Sequence, residues 1–159
     1  MSEPARTFDV VVELFSYVFM VIGNLHIEED AELDFSRYPT VGFCPGSICI
    51  GGPSPEDSET IKATFTIADS YSEWDDAFVT HTIHVDEEGI TIVDAVGTSI
   101  DGPQDHVDYS YRLPWTGWTT LQFRAPDGFY TYEENLKTPR SPEVLVTPAP
   151  DHKPSVVKL

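Results

Sequence analysis

Basic residues are the scarcest resource of this chain: nine Lys and Arg stand against 27 Asp and Glu, a formal net charge of -18. Between Ala63 and Tyr111 neither Lys nor Arg occurs. A surface that acidic repels phosphate backbones and anionic lipid, which argues against direct nucleic-acid binding and membrane attachment, and it speeds encounter with basic proteins. Acidity with few lysines also keeps a protein soluble in concentrated salt, with no partner needed. Cysteine is scarce too. Cys44 and Cys49 bracket Pro45, Gly46, Ser47 and Ile48 with no further Cys and no nearby His, a poor set for a zinc site that wants four ligands. Two free thiols are expected, with a loop disulfide open geometrically. Long apolar runs are missing as well. Leu14 to Ile22 is apolar apart from Ser16, too short to span a bilayer and expected as a buried strand.

The catalytic vocabulary is equally thin. The sequence has no Gly-x-Ser-x-Gly elbow and no His-Glu-x-x-His. The glycines between Gly42 and Gly52 fit neither the P-loop nor the dinucleotide fingerprint. His81 and His84 sit three apart in an extended run, hence on opposite faces, so they do not share a metal or a proton; each is expected as a surface or cross-strand partner. No cofactor is expected, and the chain is read as non-enzymatic. The N-terminal residues lack the basic region and cleavage site of a secretory signal, so a cytoplasmic location is expected.

What the sequence has is period-2 alternation. In Phe78–Val96, Val79, His81, Ile83 and Val85 share one face, and Ile90 and Ile92 continue the pattern beyond Asp86-Glu87-Glu88-Gly89; the stretch reads as a hairpin closed at Gly89, which can take positive φ. Phe8 to Ile22 reads as one long strand, or two broken near Ser16, crossing the centre of a sheet. His26 to Phe35 is an exposed strand or an acidic loop. Tyr38 to Pro55 is so dense in Pro and Gly that it reads as an irregular insertion. Thr60 to Ala68 is a strand with Ile61, Ala63, Phe65 and Ile67 inward. Tyr109–Leu113 and Thr119–Arg124 read as a strand pair, and Val144-Leu145-Val146 as an edge strand. No segment has a helical period and no repeat occurs. The expected fold is all-β: a single antiparallel β-sandwich or partly open barrel with long Pro/Gly loops over residues 1–147, followed by a flexible proline-containing tail over 148–159.

Acidic residues gather in two loops. Asp69, Glu73, Asp75 and Asp76 surround Tyr71 and Trp74; Asp101, Asp105 and Asp108 surround His106, a mixture of ligands that suits an irregular calcium cage without matching the helix-loop-helix pattern. Trp74, Tyr109, Tyr111, Trp115, Trp118, Tyr130 and Tyr132 offer a platform for a sugar or a protein, and are equally at home in the core or rim of a sandwich.

Leu14-Phe15-Ser16-Tyr17 with Phe19, then Trp74 leading into Val79-Thr80, His84-Val85, Glu87, Gly89-Ile90 and Ile92, resembles the competence protein J family, inhibitors of a bacterial DNA-entry nuclease. The stretch from Cys44 to Pro55 and the proline-containing tail depart from that pattern. The resemblance implies a β-sandwich that binds and blocks a nuclease or a related toxin, with acidic side chains in place of nucleic-acid phosphates; it assigns no contact residues. Charge and aromatics point first to Asp69, Glu73, Trp74, Asp75 and Asp76, then to Asp101, Asp105 and Asp108, as the surface meeting a basic partner protein. The rival readings are a small-ligand or carbohydrate-binding sandwich with calcium at the second loop, and an oligomerisation module using the strand from Leu14 to Ile22.

Overall fold

The computed structural model describes residues 6–13, 19–23, 34–38, 41–44, 46–50, 60–94, 108–132, 136–151 and 155–158. Strands follow in the order β1 (Arg6–Glu13), β2 (Phe19–Ile22), β3 (Asp34–Tyr38), β4 (Val41–Cys44), β5 (Ser47–Ile50), β6 (Thr60–Ile67) and β7 (Val79–Val85). They continue with β8 (Ile90–Asp94), β9 (Asp108–Tyr111), β10 (Gly117–Arg124), β11 (Phe129–Tyr132), β12 (Leu136–Pro139), β13 (Glu143–Pro148) and β14 (Val156–Val157). Among the described residues there is no helix.

Two six-stranded sheets form, ordered β1-β6-β13-β10-β7-β14 and β3-β4-β5-β2-β8-β9, beside a small β11–β12 pair. Their inward residues make one core: Ala63, Phe65, Val79, Ile83, Leu121, Phe123, Val144 and Val146 from the first sheet meet Val21, Val41, Ile48, Ile50, Ile90 and Ile92 from the second. Phe8 of β1 stacks on Tyr111 at 3.8 Å and on Phe65 at 5.6 Å, joining the sheets along one side. The all-β sandwich is therefore the fold. Among the described residues the pairings are antiparallel except β13 with β6, which is parallel.

Several expected neighbours are not neighbours. β7 and β8 do not form a hairpin: β7 pairs with β10 and β14, β8 with β2 and β9. The turn between them is real, with Gly89 N–H donating to the Asp86 carbonyl at 3.1 Å and Gly89 at φ 81°, but it carries the chain from one sheet to the other. Alternation fixes which face of a strand is buried and leaves open whether its neighbour sits beside it or across the core. The same reason separates β9 from β10, which lie in different sheets.

The apolar N-terminal run is two strands, and β1 takes an edge instead of a sheet centre, while β2 is interior. Of the run from Leu14 to Ile22 expected at an oligomer interface, residues 14–18 lie outside the described residues and Phe19–Ile22 form β2 between β5 and β8. The Pro/Gly stretch also folds more regularly than expected. β4 and β5 pair from Val41↔Ile50 to Cys44↔Ser47, because Val41, Phe43, Ile48 and Ile50 supply buried side chains. Gly42 is accommodated inside β4 and Gly46 lies at the turn, while residues 51–55 of the stretch lie outside the described residues. Val144 to Val146 lie mid-sheet between β6 and β10, not at an edge. Beyond Pro148, β14 pairs with β7, and Lys158 N–H donates to the Phe78 carbonyl at 2.7 Å.

Candidate partner-binding site

The sheet order dictates where the first acidic loop must run. β6 is parallel to β13, β13 antiparallel to β10, and β10 antiparallel to β7, so β6 and β7 point the same way with β13 and β10 between them. Such strands cannot be joined by a hairpin, and their link has to cross the sheet. Residues 68–78 make that crossing as a strap over the outer face. Its ends are fixed by backbone bonds, Ala68 N–H to the Val146 carbonyl at 3.0 Å and Phe78 N–H to the Phe123 carbonyl at 2.8 Å.

The middle is held by side chains from β10. Leu121 and Phe123 face the core, so Gln122 and Arg124 face outward beneath the strap. Gln122 is 2% exposed and uses both ends of its carboxamide: Oε1 accepts from Trp74 N–H at 2.7 Å, and Nε2 donates to the Ser72 carbonyl at 2.5 Å. It thereby replaces the pairing that a neighbouring strand would have given this backbone. The Arg124 guanidinium lies 3.9 Å from the centre of the Trp74 ring and pairs with Glu143 at 2.6 Å and Asp76 at 3.8 Å. A planar cation stacked on indole and forked onto carboxylates is a role that Lys fills poorly.

These contacts sort the expected residues. Trp74 is half-buried on Arg124, a structural anchor as much as a surface ring. Asp76 is exposed but already faces Arg124. Asp69 accepts from Ser70 at 3.4 Å. Glu73 is exposed and accepts from the Tyr71 hydroxyl at 2.6 Å, which orients it without neutralising it. Asp75 is exposed at the strap's turn. Sequence reasoning missed Gln122 and Arg124. The available signal was weak: two polar residues alternating with Leu121 and Phe123, as on any half-buried strand.

The second acidic group is not brought into this site by any described contact. Asp108 opens β9 in the other sheet, opposite Val93, and Asp101, Asp105 and His106 lie outside the described residues. Among the described residues no group of His, Cys, Asp and Glu has the geometry to hold a metal ion. Of the expected platform, the side chains of Tyr109, Tyr130 and Tyr132 lie outside the described ones, and the described aromatics have separate partners. Tyr111 stacks on Phe8, Trp118 meets His84 edge-on at 5.2 Å, and Trp115 donates from Nε1 to Thr119 at 2.8 Å.

The histidines do face opposite ways, but His81 is no surface residue. It is 4% exposed, with Nε2 directed at the Ser47 carbonyl at 3.1 Å and Nδ1 at the Ser155 hydroxyl at 2.6 Å. A carbonyl can only accept, so Nε2 carries a proton. His81 thus ties β7 to the other sheet and to the C-terminal segment. Cys49 is a buried free thiol, and desolvation raises its pKa to about 11.

No family model matches the chain, and no curated protein matches it. Among solved structures it is similar to ComJ of Bacillus subtilis, described as an inhibitor of the DNA degrading activity of NucA, with 13% identity over 94% of this chain and 98% of that one, at a TM-score of 0.47.

Proposed function

We propose that this protein is a non-enzymatic binding protein of the inhibitor or immunity type, whose acidic strap blocks a basic partner protein, a nuclease or a toxin. The observation that carries the reading is the strap itself. A segment rich in carboxylates is laid across the outside of a sheet and fastened there by a buried Gln122 and a stacked Arg124, with Glu73 and Asp75 turned to solvent. A rigid loop binds with less ordering cost than a mobile one, and its charge accelerates encounter with a cationic surface.

The test is capture by the tagged chain from its native lysate at low salt, elution at high salt, and a DNA-degradation assay on what elutes; purified NucA is a first defined candidate. A basic nuclease that is inhibited by the chain, and whose association is slowed about tenfold at low ionic strength by Glu73→Gln with Asp75→Asn, is the expected result. An eluate without a basic nuclease or toxin, from chain shown to be folded, overturns the proposal.

A further inference from the structure

Gln122 differs from the buried outward threonines beside it. Thr82, Thr120 and Thr147 form a row across β7, β10 and β13, opposite one another in the register, and their hydroxyls are buried without a hydrogen-bond partner. Next to that row, on the same face of β10, Gln122 is equally buried yet fully engaged, and both its partners are backbone groups of the strap. A carboxamide carries its acceptor and its donor on separate atoms, and so holds an N–H and a carbonyl two residues apart on a segment that has no strand beside it, which an apolar side chain cannot do.

We infer that Gln122 is the positioning residue of the partner-binding strap: it holds the Ser72–Trp74 backbone in one shape, so that Glu73, between its two tethers, and Asp75, just beyond them, are presented together as the pair of carboxylates that meets a partner's cations. The role in binding rests on the proposed function; the role in ordering the strap does not. Arg124 secures the far end through Trp74 and Asp76, but it is 32% exposed and works through charge. Gln122 works through directed bonds shielded from water. Steering and holding are therefore assigned to different residues.

Two measurements separate the claims. In the unaltered free protein, the Trp74 amide should be protected from hydrogen exchange although it lies outside any strand, and Gln122→Met, of similar length and without an amide, should speed that exchange about tenfold or more. Amides of β10 and β13 should keep their protection. With the nuclease recovered by the low-salt capture, Gln122→Met should raise the dissociation rate and leave the salt dependence of association unchanged, whereas Glu73→Gln with Asp75→Asn should slow association and flatten that dependence. A Trp74 amide that exchanges as freely as an exposed loop in the unaltered protein overturns the inference without needing any variant. Ordered exchange behaviour with no inhibited partner would leave the tether standing and sink the functional reading instead. A general loss of protection in Gln122→Met would show a role in the whole sheet, contrary to the inference.

Discussion

Thr119 and Thr120 are adjacent in β10, both 0% exposed, and removing their hydroxyls should have opposite effects. Thr119 faces the core opposite Ile83; its Oγ1 accepts from Trp115 Nε1 at 2.8 Å and donates to the Gly117 carbonyl at 3.3 Å. Thr120 faces outward between Thr82 and Thr147, and its hydroxyl has no partner. Thr→Val keeps volume and β-branching, so strand preference changes alike at both sites. At Thr119 the change orphans an indole N–H. Trp115 is half-buried, so water recovers part of that loss, and the low end of the usual penalty applies, about 1 kcal/mol. At Thr120 it removes a group already desolvated and unpaired, which should be neutral or stabilising by up to about 1 kcal/mol. For a chain of this size each kcal/mol moves Tm by about 2–4 °C. Urea unfolding of both variants, with unchanged m-values, gives the comparison. A Thr120→Val variant as destabilised as Thr119→Val would refute the reasoning, because it would mean that the Thr120 hydroxyl is bonded in solution.

Ala at Gly89 (φ +81°) would overlap the Tyr111 carbonyl oxygen, whereas Ala at Gly128 (φ +86°) meets nothing; the first should lose clearly more stability than the second, and equal losses in urea would show that backbone strain alone governs both turns. The Cys49 thiol, raised from 9.0 to about 11 by burial, binds its proton more tightly folded than unfolded. That contribution is complete below pH 9 and declines as pH rises from there toward 11, so the unfolding midpoint should fall across that window and fall less in Cys49→Ala. Native protein should also label at Cys49 no faster than its sheet opens, as read by peptide mass spectrometry; immediate labelling would contradict the burial.

Inward faces were legible because they are local. Ala63, Phe65 and Ile67, or Val79, Ile83 and Val85, declare themselves by alternation and are buried as expected. Pairing was not legible, because it depends on residues far along the chain. Asp86 to Gly89 looks like a hairpin turn and is a good one, yet the strands it joins are satisfied by β10 and β2. The density of Pro and Gly from Tyr38 to Pro55 points to an irregular insertion, while the alternation of Val41, Phe43, Ile48 and Ile50 within that stretch carries the truer signal. In the candidate site the acids could be named from the sequence. That they form a crossing strap could not, since it follows from β6 and β7 running the same way, which depends on β13 pairing parallel to β6 and antiparallel to β10.

The two side-chain fastenings of the strap should respond differently to salt, which decides how salt elution of a partner is to be interpreted. Arg124 to Asp76 spans 3.8 Å with the carboxylate side chain 63% exposed, a contact that ions weaken once the screening length falls to a few ångströms, near 1 M salt. The bonds from Gln122 to Trp74 and Ser72 are made by uncharged groups with Gln122 buried, so screening barely reaches them. Raising salt should therefore loosen the strap at Asp76 while its centre stays fixed, and Trp74 amide protection should be the same at 0.05 M and 1 M salt. Partner association, which the proposed function assigns to Glu73 and Asp75, should fall steeply over that range. If Trp74 protection collapses along with association, salt is unfolding the strap rather than screening it. The acids would then matter to the shape of the strap, and the division between a holding Gln122 and steering carboxylates would fail.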